Sequence, residues 1–168
     1  MQNISNLLGQ LVTGFGEQPS KKQYYKLLAA ANANIKIDTK ISLKDIHSYN
    51  GLKKNLLTKY INKDIFIDTL LIHDGDNILE NKEIKKIKIL HKLKKEKIIS
   101  KVGISIYNFD ILKKIILKLN LDVIQIPYNL VDKRIEKFKK LLNEKKILIY
   151  VRSVFLQGSL LKEVNNRY

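Results

Sequence analysis

The sequence contains no cysteine and no tryptophan, and only two of its 168 residues are proline. Without cysteine, disulfide bonds and thiolate chemistry are excluded. An almost unbroken apolar run, Ile65–Ile72, is far shorter than the roughly 20 residues that a membrane-spanning helix needs. The opening residues MQNISNLLGQL have neither the basic start nor the small-residue cleavage site of a signal peptide. We therefore expect the protein in the cytoplasm.

Glycine-rich phosphate-binding motifs are also missing. Gly14 and Gly16 form only the pattern GxG, with no third glycine and no strand before them, and Gly-Lys-Ser/Thr does not occur. The dinucleotide-binding fingerprint and the phosphate-binding loop are therefore not supported. Histidine and acidic residues show no metal-ligand spacing, although Asp74 and Asp76 beside His73 keep a metal site as a weaker alternative. We assign no metal ligands.

Positive charge is in large excess, with 32 lysine and arginine residues against 16 acidic residues and a formal net charge of +16. Such a charge suggests a nucleic-acid partner. The lysines are spread along every predicted helix, however, and lysine, isoleucine and asparagine are abundant together, as AT-rich codon usage would produce. We therefore expect salt-sensitive attraction to polyanions and no specific nucleic-acid site.

The hydrophobic pattern alternates along the chain between strand-like and helix-like segments. The chain is long enough for a single domain with a substantial core. Strands separated by amphipathic helices indicate βαβ units, and therefore a parallel sheet with right-handed crossovers. The predicted strands are 35–41, 65–72, 101–106, 123–127 and 147–155, and the predicted helices are 20–33, 42–60 with a break near 50–51, 80–97, 109–119 and 131–142.

A polar residue able to donate a hydrogen bond stands at the end of each predicted strand. Each one alone has an ordinary explanation: a solvated lysine, a partly buried histidine, or a serine or glutamine that binds loop backbone. An arginine within an apolar strand needs an anion or a carboxylate as its partner. Because the carboxyl ends of parallel strands meet at one edge of a sheet, the five residues together predict a site there. They are Lys40, His73, Ser105, Gln125 and Arg152.

The segments around these residues form an ordered set of motifs. They read TK at 39–40, DTLLIH at 68–73, EKIISKVGIS at 96–105, QIPYN at 125–129 and SVFLQGSL at 153–160. In this order they resemble the third to seventh strands of the aldo-keto reductases, (β/α)8 barrels that reduce carbonyls with NAD(P)H. The resemblance covers about residues 35–161. The form VRSVFLQG is similar to a bacterial branch of the family found among surface-sugar biosynthesis genes.

The resemblance implies a role for each residue at the strand ends. Lys40 and His73 match two members of the family's Asp-Tyr-Lys-His catalytic tetrad, in which lysine lowers the pKa of the proton-donating tyrosine and histidine orients the substrate. The implied cofactor is NADP(H), with NAD as the alternative, and the implied substrate is an aldehyde or ketone, sugar-related if the chain follows the bacterial branch. The implied cofactor-binding residues are Ser105 and Gln125 at the nicotinamide carboxamide, Arg152 where many members place an aromatic residue under the ring, and the adjacent Ser153.

The sequence departs from the family pattern at both ends. A complete barrel of this type needs about 250 residues, so we expect one domain over 1–168 that forms a partial (β/α)8 barrel, with about five parallel strands and outer helices. No motif for the tetrad aspartate and tyrosine precedes Lys40, and an alternative alignment reads Asp38 as that aspartate. We therefore expect weakened or lost activity, and self-association through open barrel edges. The competing hypothesis is a non-catalytic binding module whose basic surface binds acidic partners.

Overall fold

The computed structural model describes residues 35–61, 65–80 and 83–161. They form one curled sheet of five parallel strands, in which sequence order is also spatial order. Two parallel strands that are consecutive in sequence and adjacent in the sheet must be joined by a crossover connection, as the alternation of strands and helices predicts. The strands are β1 (Ile35–Ile41), β2 (Ile65–Ile72), β3 (Ile99–Ser105), β4 (Val123–Pro127) and β5 (Leu148–Arg152). The helices are α1 (Tyr49–Lys59), α2 (Ile84–Lys95), α3 (Leu112–Lys118) and α4 (Lys139–Glu144), with 3-10 turns at Leu43–Asp45, Gly75–Asn77, Arg134–Phe138 and Leu156–Leu161.

The main apolar core lies between the helices and one face of the sheet. Alternate side chains of β2, β3 and β4 belong to this core and are at most 1% exposed. Each helix contributes apolar residues from one side only, as an amphipathic helix does. The strand residues are Leu70, Ile72, Val102, Ile104, Ile124 and Ile126, and the helix residues include Leu56, Leu90, Ile115 and Leu142. No helix in the described ranges is long and apolar enough to cross a membrane.

The opposite, inner face of the sheet depends on a bulge between β1 and β2. The pairing of these strands shifts by one residue after Ile37, so Asp68 is an extra residue on β2. The Asp68 carboxylate accepts a hydrogen bond from Lys101 Nζ on β3. Beyond the shift, Lys40 lies opposite Leu71, and both residues belong to the inner face.

The helix predicted over 42–60 breaks earlier than expected. Residues 46–48 separate a short 3-10 turn from α1, whereas the sequence analysis places the break near 50–51. The reason is the Ser48 side chain, whose hydroxyl oxygen accepts Gly51 N–H at 3.1 Å and so caps the first turn of α1. Gly51 is therefore inside the helix and does not end it.

The fifth strand is shorter than its apolar pattern predicts. It ends at Arg152 instead of continuing to 155, because Ser153 adopts a left-handed backbone conformation with φ of 57° that an extended strand excludes. The helix predicted over 131–142 is a 3-10 turn followed by the short α4. The helix predicted over 20–33 lies outside the described residues.

Asp74, which follows β2, ties the loop after β1 to the end of β2. Its carboxylate accepts Leu43 N–H at 2.7 Å and the Ser42 hydroxyl at 3.0 Å. Burial acts to raise the pKa of this carboxyl, but the hydrogen bonds and the charge of His73 outweigh burial and hold the pKa below its ordinary value. The tie fixes the chain next to two of the predicted site residues.

Replacing Gly103 with alanine is expected to destabilise the sheet by about 1–3 kcal/mol through overpacking. A Cβ at this position of β3 would lie 2.5 Å from Leu71 Cδ2 and 2.9 Å from the Val123 carbonyl oxygen, which is backbone and cannot turn away. Urea unfolding measures the loss. Ser100→Ala, at an exposed position of the same strand, should change stability by no more than about 0.5 kcal/mol. Equal stability of the two variants would show that the inner face can accommodate a Cβ at position 103.

Replacing Asp74 with asparagine is expected to cost about 1–2 kcal/mol near neutral pH, because a neutral amide accepts hydrogen bonds more weakly than a carboxylate. Since the pKa is lowered in the folded protein, this contribution is complete above about pH 4 and is lost as the pH falls through the folded-state value. Urea unfolding near pH 7 and near pH 3 should therefore show a difference from the parent protein that shrinks in acid.

The matched control for this substitution is Asp45→Asn. Asp45 is exposed in the same loop, and no donor among the described residues binds its carboxylate. The control should leave stability unchanged at both pH values. An equal loss from both substitutions would assign the effect to net charge and not to the tie.

Candidate active site

The five strand ends lie side by side at one edge of the sheet. His73 N donates to the Ile41 carbonyl at 2.8 Å, which joins the ends of β1 and β2. Ile106 N donates to the Gln125 carbonyl at 2.9 Å and joins the end of β3 to β4. Tyr128 N donates to the Arg152 carbonyl at 3.1 Å and joins the end of β4 to β5. The structure therefore brings the five sequence-predicted residues to a single edge, and alternation along each strand places them on its inner face.

Lys40 and His73 occupy adjacent strands, β1 and β2, and both side chains are largely exposed. No ion pair within the described ranges includes Lys40. Partial burial lowers the pKa of Lys40, and the positive charge of Arg152 lowers it further. The edge therefore carries two cations that act on each other, and no carboxylate of the described residues neutralises the lysine.

Ser105 and Gln125 form the one direct side-chain contact among the predicted residues. They are paired in the register of β3 and β4, and the buried Ser105 hydroxyl donates to Gln125 Oε1 at 3.3 Å. This hydrogen bond uses the amide oxygen of the glutamine. Within the described residues no group accepts from its amide nitrogen, so two N–H donors remain for a ligand carbonyl.

Arg152 extends from the end of β5 to the loop after β3. Its Nη2 donates to the Ile106 carbonyl at 3.1 Å, and its guanidinium lies 3.2 Å from the centroid of the Tyr107 ring. Burial lowers the pKa of Arg152, and the nearby Asp76 charge acts in the opposite direction. A guanidinium held over the face of an aromatic ring is a stable arrangement that restricts the directions in which its N–H groups can point.

Ser153 is exposed, and the structure involves its backbone more than its side chain. Its carbonyl accepts Asn129 Nδ2 at 3.2 Å, and the oxygen of the same Asn129 amide accepts the N–H groups of Val131 and Asp132. The buried Asn129 thus joins the loops that follow β4 and β5. A cofactor contact of the Ser153 hydroxyl remains a prediction.

The acidic residues after β2 have partners of their own. Asp76 accepts the N–H groups of Tyr107 and Asn108 at 3.0 to 3.3 Å, which ties the loop after β2 to the loop after β3. Asp74 is occupied by the loop after β1 in the same way. Across the described part of the chain, no three His, Cys, Asp or Glu residues are grouped so that they could hold a metal ion.

Tyr107 and Asn129 belong to this edge, but the sequence pattern predicts no role for either of them. Tyr107 is aromatic but 53% exposed, and its position directly after the predicted strand 101–106 is the signal that could have identified it. Asn129 lies inside the QIPYN motif but reads there as an ordinary loop asparagine. Its three loop hydrogen bonds become visible only when β4 and β5 are paired.

Comparison with known proteins identifies the same family. Residues 13–168 match the family model of the aldo/keto reductase family. No curated protein matches the chain. Similar solved structures include an aldo-keto reductase from Bacillus halodurans in its holo form, at 21% identity and a TM-score of 0.66 over 86% of this chain and 51% of that one. Another is an aldo/keto reductase from Klebsiella pneumoniae in complex with NADP and acetate, at 14% identity and a TM-score of 0.61 over 84% of this chain and 52% of that one.

At these identities the solved structures show the fold alone, and this chain spans about half the length of the proteins it matches. The five parallel strands correspond to part of their (β/α)8 barrel, as the sequence analysis predicts. Together with the family match over residues 13–168, this shows that the chain belongs to the aldo-keto reductase family.

Proposed function

We propose that this chain binds NADP(H) at the carboxyl ends of its strands and forms part of an oxidoreductase that reduces an aldehyde or a ketone. The observation that carries the proposal is the Ser105–Gln125 pair, set between His73 on one side and Arg152 on the other. A serine hydroxyl and a glutamine amide side by side can bind a carboxamide, which presents both a carbonyl and an N–H₂ group. Family membership and a neighbour in complex with NADP support this cofactor.

Lys40 and His73 are the residues that we assign to the substrate carbonyl. The direct pairing of β1 with β2 supports Lys40 as the tetrad lysine, because the family's lysine and histidine strands are the third and fourth. The alternative that reads Asp38 as the tetrad aspartate would require a further strand between β1 and β2, and the sheet has none there. His73, exposed at the strand end, can donate a hydrogen bond to a carbonyl oxygen.

Bound NADP(H) would supply the hydride for the reduction. The residues of this chain bind and orient: Ser105 and Gln125 hold the carboxamide, while Arg152 and the adjacent Ser153 form the wall of the nicotinamide site. The flat guanidinium of Arg152 replaces the aromatic ring that many members use, and its delocalised plane is suited to the same packing.

We further propose that carbonyl reduction by this chain alone is weak. In the family mechanism an aspartate holds the lysine and a tyrosine protonates the carbonyl, but Lys40 has no carboxylate partner within the described residues. No tyrosine of the described residues is assigned as the proton donor, and loss of a general acid removes a factor of roughly 10² to 10⁴ in rate. A sugar-derived aldehyde or ketone is the substrate class that the VRSVFLQG motif suggests.

The alternative of a binding module that uses a basic surface gains no support from the distribution of charge. The inner face carries few cations, chiefly Lys40, Lys101 and Arg152, and Lys101 is paired with Asp68. Most of the other described lysines lie on the four outer helices, so they are divided among several surfaces and do not form one basic face. Such an arrangement favours solubility over specific recognition of an acidic partner.

NADPH titration, followed by nicotinamide fluorescence at low and high salt with ATP as competitor, tests the cofactor proposal. We expect saturable binding that persists in high salt and resists ATP, because the carboxamide contacts are uncharged. Gln125→Ala should weaken binding about tenfold, the effect of one or two lost hydrogen bonds. Asn120→Ala, on the exposed loop after α3, should leave it unchanged. If NADPH binding disappears in high salt, or if ATP competes as well as NADPH itself, the interaction is only the attraction of a basic protein for phosphates and the cofactor proposal is wrong.

A further inference from the structure

The two arginines in the described ranges make the same aromatic contact but differ in their partners. Arg134 lies 4.3 Å from the centroid of the Phe109 ring, and its Nε and Nη2 donate to the two carboxylate oxygens of Asp132 at 2.9 and 2.8 Å. This is the bidentate pairing that a guanidinium fork favours. Arg152 lies against Tyr107 in the same way but has no carboxylate within ion-pair distance among the described residues.

The hydrogen-bonding capacity of Arg152 is mostly unused. A guanidinium has five N–H donors, and within the described residues only the Ile106 carbonyl accepts one of them. Nε is buried without a partner, whereas Nη1 is neither bonded nor buried. Leaving donors of a partly buried cation unpaired is costly. The Tyr107 ring nevertheless holds the group in place and leaves its free N–H donors for a partner that is not among the described residues.

The positive charges around Arg152 are balanced only in part. Asp76 is the acidic group that acts on it, but the Asp76 oxygens already accept the N–H groups of Tyr107 and Asn108. Lys40, at the same edge, is a second cation without a described carboxylate, and its lowered pKa reflects partial burial and the charge of Arg152. An anion between the two would relieve their repulsion and satisfy their donors.

We propose that Arg152, held against Tyr107 and assisted by Lys40, binds an anionic group of the carbonyl substrate, a carboxylate or a phosphate. The substrate class is therefore an oxo acid or a phosphorylated sugar carbonyl. This assignment rests on the proposed function for the carbonyl and for NADP(H). Contact with a nicotinamide ring would use the flat face of the guanidinium, and the anion would use its N–H edge, so one residue can serve both.

The test uses the Nε–Hε NMR signals of arginine, of which the chain has only three. Propionate, and separately inorganic phosphate, is titrated into the labelled full chain at constant ionic strength. We expect the Arg152 signal, assigned through Arg152→Lys, to shift and saturate while the Arg134 signal stays in place. Propionamide, the neutral analogue of propionate, should bind at least about tenfold more weakly, since charge-assisted hydrogen bonds are the stronger ones.

Substitutions separate a specific site from general attraction. Arg152→Gln should weaken propionate binding at least tenfold, as followed by the remaining amide signals. Lys114→Gln removes the same charge from an exposed position of α3 and should have no effect. Tyr107→Leu, at a largely exposed position, should weaken binding without removing charge. Parallel shifts of all arginine signals, or equal effects of Arg152→Gln and Lys114→Gln, would overturn the proposal.

Repeating the titration with NADPH bound identifies the source of the anion. Propionate binding that persists or strengthens beside NADPH supports an anionic substrate. If NADPH displaces propionate and phosphate alike, the Arg152 site serves the phosphates of the cofactor, and the substrate assignment is wrong. Failure of NADPH to bind, with the Arg152 response to propionate intact, would reject the proposed function separately from the anion site.

Discussion

The parallel register of the five strands determines where every side chain of the candidate site lies. Each strand end is hydrogen-bonded to its neighbour's end, so residues far apart in sequence reach the same edge even where no direct contact joins their side chains. The apolar core on the helix side supplies the stability that holds this register, because a slip of one residue would turn its buried side chains to the inner face. The position of the polar residues at this edge is thus set by an apolar core to which they do not themselves belong.

Much of this arrangement could be predicted from the sequence because parallel strands buried by helices leave a strong pattern. The apolar runs that end at Ile41, Ile72 and Pro127 indicate the strand ends directly, and the structure places them there. Alternation of strands and helices then implies a shared edge for residues such as His73 and Gln125. These predictions need only periodicity and the rules of crossover connection.

What the sequence could not predict depends on contacts between distant segments or on single backbone angles. The early end of β5 follows from the positive φ of Ser153, which has no signature in the apolar run 147–155. The Arg152–Tyr107 contact joins residues from β5 and from the loop after β3, and no local pattern encodes it. Asp74 and Asp76 read as metal-ligand candidates, whereas their backbone partners in the fold make them loop ties.

The bulge at Asp68 sets the register of β1 relative to β2. If the pairing before the bulge continued without this shift, Lys40 would lie opposite Leu70, whose side chain lies in the core. The lysine would then face the helices and not share a surface with His73. Deleting Asp68 itself would keep Lys40 opposite Leu71, whereas a slip of one residue in the pairing would separate the two groups as fully as a substitution of either. The register of two neighbouring strands, and not only residue type, therefore decides whether the site forms, because a slip leaves both side chains in the sequence but places them on opposite faces of the sheet.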